Sequence, residues 1–208
     1  MPMPFGLPPP DPALELFVAS HGMSQGLSQT EGAQVIPRAY LRVGDVHAGL
    51  FWRNIDSPVA TGILALFARV SRKHRATQLD LTALYRTRTG THRTTGRHAW
   101  EFDATLRQGF GRLGLRLNAE FAPREFELGK SWFVEFGPSF QIAKGTSLFA
   151  NVGRRERSGA PDYNSINVGV SRAVGGNIVL DARYHATDRS ELGPRYAGRF
   201  VLSARLSL

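Results

Sequence analysis

The sequence predicts an all-β fold: an up-and-down antiparallel transmembrane β-barrel of about 12 strands. Three observations predict it. Apolar and polar residues alternate with period two along most of the chain. Tight and long polar links alternate between those segments. And no apolar run comes near the roughly 18–20 residues that a membrane helix needs.

The alternation is clearest from Arg112 to Phe121. Leu113, Leu115, Leu117, Ala119 and Phe121 form one face, and Arg112, Arg116, Asn118 and Glu120 form the other. Successive strand side chains point to opposite faces, so this is a strand with one oily and one charged side. The same pattern predicts strands over 35–43, 78–86, 100–107, 178–185 and 199–208. Weaker strands fill 13–28, 46–55, 61–71, 131–142, 146–154 and 162–173. Many approach the ~10 residues that a tilted membrane strand needs.

Tight hairpin signals occur at Gly44-Asp45, Gln108-Gly109, Ala143-Lys144-Gly145 and Gly175-Gly176-Asn177. Longer links run over 87–97, 123–130, 154–162 and 188–194. Short turns at one rim and loops at the other produce that parity, and both termini then share the short-turn rim. A soluble sheet would also alternate. About 12 strands, however, enclose an interior too wide for Ala and Leu to fill, so the apolar face is expected to meet lipid. Trp52, Trp100, Trp132, Tyr85 and Tyr184 lie near strand ends on that face, as an interfacial girdle would.

The chain divides into a proline-rich tail over 1–12 and a barrel over 13–208. The tail has neither a basic n-region nor an apolar h-region, so no signal peptide is read within it. The 208 residues carry 26 Lys and Arg against 17 Asp and Glu, a formal net charge of +9. Cysteine is absent, which removes disulfides and thiolate metal sites.

The segment from Phe17 to Gly32 resembles the opening of the TorF-type porin family of proteobacteria. Its pattern there is an aromatic and arginine pair followed by Gly-Ile-Ser-Gln-Thr-Asp-Gly. His47-Ala48-Gly49-Leu50-Phe51-Trp52-Arg53-Asn54-Ile55-Asp56 resembles the family's glycine, tryptophan and Ser-Asn-Val-Asp stretch. Asp162-Tyr163-Asn164-Ser165 and Val168-Gly169-Val170-Ser171-Arg172 resemble its Asp-Tyr and Gly-Val-Ser segments. Gln25 stands where the family has a basic residue, and Leu208 stands where such barrels commonly end in an aromatic. The resemblance implies a bacterial outer-membrane barrel and carries no substrate with it. Its implied partners are outer-membrane lipid, lipopolysaccharide and the barrel-assembly machinery.

Function is expected in the lumen. The pore-lining candidates are Arg38, Arg42, Arg107, Arg112, Arg116, Glu120, Arg183, Arg199 and Arg205. Arg53 and Arg86 share their face, as do Asp80, Glu101, Asp103, Glu135 and Asp181. Two readings stay open: cross-strand arginine–carboxylate ladders in a packed lumen, or a basic track that passes small anionic solutes.

No catalytic residue, metal site or cofactor is assigned. Ser20 and His21 are adjacent, so they face opposite sides of a strand. Ser24, His185, His98, His74 and His92 complete no nucleophile–base pair, and no Gly-x-Ser-x-Gly elbow occurs. The basic clusters at 71–75 and 87–97 lack the interleaved aromatics of a nucleic-acid platform, so nucleic acid is not an expected partner. Oligomeric state is left open.

Overall fold

Period-two alternation folds here into a closed cylinder. In a computed structural model, which describes residues 8–91 and 96–208, 12 strands pair in one antiparallel barrel. They are β1 (Asp11–Ala19), β4 (Gln34–Val43), β5 (Val46–Ser57), β6 (Ala60–His74), β7 (Thr77–Thr89), β8 (His98–Phe110), β9 (Leu113–Ala122), β10 (Ser131–Ala143), β11 (Thr146–Arg157), β12 (Tyr163–Val174), β13 (Ile178–Thr187) and β14 (Arg199–Ser207). Two short strands, β2 (Met23–Ser24) and β3 (Leu27–Ser28), form a separate hairpin. Each barrel strand pairs with its chain neighbours, and β1 closes the ring by pairing with both β4 and β14. Leu14 and Leu208 exchange backbone hydrogen bonds at that seam, at 3.2 and 2.8 Å. Closure leaves no strand edge, which an apolar surround demands of any spanning sheet.

The faces sort as expected. On β9, Leu113 and Leu117 are exposed outward while Asn118 is buried inward. Leu202, Phe200, Leu66, Leu81, Val134, Phe136, Val152 and Val168 continue the outer apolar belt. Tyr85, Trp100, Phe102, Phe121 and Trp132 adjoin through ring contacts or strand pairing on that face toward the long-loop rim. Trp52 lies at the same rim, where its indole donates to Thr89 Oγ1 at 3.2 Å. Four of the five expected girdle residues, Trp52, Tyr85, Trp100 and Trp132, thus mark one rim. The opposite rim carries Phe110 and Phe140 instead.

Several expectations need correction. The segment 13–28 is not one strand. Strand β1 stops at Ala19, Ser20 Oγ accepts the Leu202 N–H at 3.0 Å, and the chain turns into the lumen. There Gln25 and Gly26 both take positive φ, 53° and 84°, as a two-residue primed hairpin turn between β2 and β3 requires. Strand β1 also starts at Asp11, two residues inside the expected tail, where Asp11 faces Arg42. The tight turn expected at Gln108-Gly109 falls at Gly111 and Arg112 instead, because β8 keeps pairing through Phe110↔Leu113. Parity has one exception: Pro58 and Val59 make a tight turn at the long-loop rim.

Candidate functional site: the lumen

The inward positions of β4–β8 and of β9–β14 differ in size. On the first arc, Tyr40, Phe51, Phe67 and Leu84 pack into an apolar mass inside the barrel. Arg38 lies over it, 5.2 Å from the Phe51 ring and 5.5 Å from the Phe67 ring. On the second arc the inward residues are often small: Gly114, Gly137, Ser139, Ser147, Ser171 and Ser203. The space they leave is a chamber of about 650 Å³, running from the short-turn rim up to His21 and Met23 beneath the in-turned hairpin. Arg107, Arg116, Arg183, Arg205 and Asp181 also line it.

Most of the predicted arginines have carboxylate partners. Arg38 lies 3.6 Å from Glu15, Arg42 lies 3.0 Å from Asp11, and Arg116 lies 3.3 Å from Glu135. Arg107 pairs with Asp80, which also accepts from Ser71 at 2.5 Å. Arg183 reaches Asp181 at 3.0 Å and stands 4.2 Å over the Phe149 ring. Arg199 instead bonds His21 at 2.9 Å and the Pro194 carbonyl at 2.9 Å. Arg205 projects into the chamber and has no ion pair among the described residues. Arg112 is corrected outright: it lies exposed in the β8–β9 turn, beyond the end of the lumen face. Ladder and unpaired arginine therefore coexist.

Glu120 belongs to a different group. Register Asp103↔Glu120 and the β8 spacing bring Glu101, Asp103 and Glu120 within 4.8 Å of one another. Glu101 bonds Arg86 at 2.9 Å, and Glu120 accepts from Gln25 and, at 2.8 Å, from Asn118. Glu101 and Glu120 are thus turned toward arginine and amide donors, while Asp103 Oδ1 is buried without a donor among the described residues. Sequence spacing could not reveal the group, since Glu120 joins it only through strand register.

The histidines bond no serine hydroxyl among the described residues. His21 is held by Arg199, His98 meets Thr87 Oγ1 at 3.1 Å, and Ser20 is occupied by the Leu202 N–H. His92 lies outside the described residues.

Above the lower chamber the lumen is filled from two sides. The in-turned segment is pinned by Tyr163 Oη donating to the Gln25 carbonyl at 2.8 Å and by Gly22 N–H donating to Thr30 Oγ1 at 2.7 Å. From the opposite wall, the loop 123–130 brings Phe126 into a buried cluster with Ile55, Ala60, Ile63 and Ala99. Between them a second chamber of about 180 Å³ remains, lined by Arg53, Arg86, Arg88, Arg155, Arg157 and Arg195, with Glu125 the one carboxylate. Arg155 and Arg157 escape the sequence reading because Arg154 and Glu156 put charge on the outward face too. The period-two signal blurs there, and β11 runs three residues further than expected.

No family model matches the chain, and no curated protein matches it, so neither comparison supports the TorF-type resemblance. Solved structures do match. A KdgM porin superposes with a TM-score of 0.67 at 9% identity, covering 94% of this chain and 99% of that one. A NanC porin gives 0.59 at 7% identity, covering 93% and 97%. The COG4313 outer membrane channel from Pseudomonas putida F1 gives 0.57 at 12% identity, covering 99% and 96%. A further KdgM structure is a complex with disordered oligogalacturonate. At such identities the likeness establishes the fold: this chain is a closed 12-strand antiparallel barrel of the kind that outer-membrane porins adopt.

Proposed function

We propose that the chain is an outer-membrane porin that passes small anionic solutes passively through its arginine-bearing lumen. One observation carries the reading. A lipid-facing apolar belt encloses a charged interior that retains an open chamber of about 650 Å³, into which Arg205 projects with no ion pair among the described residues. Arg116 and Arg183 line the same chamber: Arg116 keeps its Nε beyond the contact with Glu135, while Arg183 forks onto Asp181 and gives Nη1 to Asn167 at 3.4 Å. A guanidinium stays charged at any physiological pH and presents a fork that suits carboxylate or phosphate oxygens. The outer belt would meet lipid. The long-loop rim would meet lipopolysaccharide, and the exposed C-terminal strand would be read by the barrel-assembly machinery.

Reversal potentials in a KCl gradient test the selectivity. Anion preference is expected, weakening as salt rises because the Debye length falls to about 8 Å at physiological ionic strength. Arg183→Gln combined with Arg205→Gln should reduce it. Cation preference, or anion preference that this pair of changes leaves untouched, overturns the reading.

A second reading is a structural barrel with an occluded lumen. The observation favouring it is the filling of the long-loop mouth by residues 20–33 and by Phe126. It predicts a folded, inserted protein without conductance.

A further inference from the structure

The small chamber at the long-loop mouth is unusual in its charge. Six arginines line it, and the only carboxylate among its lining residues is Glu125. Like charges so close repel unless something neutralises them, and the effect is strong where protein replaces water. Two of the arginines are almost wholly enclosed: Arg86 is 4% exposed and Arg155 is 2% exposed. Each spends a single nitrogen on a carboxylate. Arg86 gives Nη1 to Glu101 at 2.9 Å, and Arg155 gives Nη2 to Glu125 at 2.7 Å. Neither pair is the two-bonded fork that a guanidinium and a carboxylate readily form.

The remaining donors are left over. Nε and Nη2 of Arg86, Nε and Nη1 of Arg155, and Nε of both Arg53 and Arg157 are buried with no acceptor among the described residues. Buried charged donors rarely stay unmet, because each loses its hydration without replacement. Arg157 and Arg195 complete the ring from the loop side, where Arg157 bonds Tyr196 Oη at 2.9 Å and Arg195 bonds the Ser28 carbonyl at 3.4 Å. Those contacts are to neutral oxygens and leave the positive charge uncancelled.

We infer that this chamber is a binding site for a small oxyanion, a carboxylate or phosphate group carried by a solute entering from the long-loop side. The inference rests on the anion-channel reading and places its first binding step above the main chamber. Arginines from β5, β7, β11 and the 188–198 loop converge there, so the site is held by several strands and not by one mobile loop. Gln25, Leu27 and Gln29 of the in-turned segment form another of its walls.

Calorimetry on the folded full chain in detergent micelles at low salt tests it. Citrate and inorganic phosphate are titrated separately, with chloride as the reference anion. Saturable binding of either oxyanion at one site per chain is expected, and which one binds identifies carboxylate or phosphate as the preferred group. Arg53→Gln and Arg157→Gln, neither of which breaks an ion pair among the described residues, should each weaken that binding by about tenfold, the worth of one charge-assisted hydrogen bond. Arg112→Gln removes the same charge from the exposed turn and should leave it unchanged. Retained heat-modifiable mobility shows that each variant has folded. Binding of neither oxyanion beyond chloride, or equal weakening by Arg112→Gln, overturns the inference. Loss of anion preference in the reversal potential with oxyanion binding intact would instead sink the channel reading and leave the site standing.

Discussion

Single residues decide where the chain leaves the barrel wall. Gly26 needs both its positive φ of 84° and its missing side chain, since an added Cβ would lie 2.5 Å from Ser165 Cβ. Gly26→Val should therefore unseat the in-turned hairpin while the barrel stays folded. The readout is hydrogen exchange at the Gln29 amide, which now donates to the Gly22 carbonyl at 2.7 Å; protection there should be lost while strand amides keep theirs. Unchanged protection would mean that the hairpin is held without the turn. Gly49 is a second such position, with a Cβ meeting the Ala39 carbonyl oxygen at 2.2 Å across the strand pair. The sequence presents Gly26 and Gly49 as parts of recognisable segments. It does not present the reason, because the atoms they make room for lie on other strands: β12, far along the chain, for Gly26, and the paired strand β4 for Gly49.

At the scale of elements, alternation placed the barrel strands, and its failures have physical causes. Residues 20–28 set His21, Met23, Gln25 and Leu27 between small residues, so they continue the appearance of a strand. What turns them inward is tertiary: Thr30 and Gln34 are buried, and Tyr163 holds Gln25 from across the lumen. The split of the lumen into a filled arc and an open arc was equally illegible, because it depends on which inward residues the registers bring side by side.

The loops carry a pH dependence of definite sign. The backbone N–H of Asn164 donates to Asp188 at 2.8 Å and holds that carboxyl below its ordinary value. Burial pushes the Glu125 carboxyl up, but the Arg155 guanidinium beside it outweighs burial and leaves it lowered. Carboxylates with lowered folded pKa contribute stability that is complete above their unfolded values, near pH ~4, and is lost as pH falls through the folded values. Acidification below about pH 4 should thus broaden the NMR signals of the 123–130 and 188–198 loops while strand signals persist. Loops that loosen on raising the pH from neutrality would contradict this.

For the whole molecule, the outer belt and the inner charges are one design viewed from two sides. The chain is neither apolar enough for membrane helices nor laid out to fill a soluble core of this width. Leu117, outward and paired with Leu106 and Phe136, tests the membrane assignment. Leu117→Arg should destabilise the inserted barrel by about 2–4 kcal/mol if the site lies near the bilayer midplane. A shift of the urea midpoint in lipid vesicles would report it, and a neutral outcome would mean that this face does not meet lipid. The central claim, a water-filled path through the barrel, is tested most directly by planar-bilayer recording with the folded full chain. Discrete conductance steps carried preferentially by anions at low salt are expected. Folded, heat-modifiable protein that inserts and yields no steps would contradict it and leave the occluded barrel as the better description.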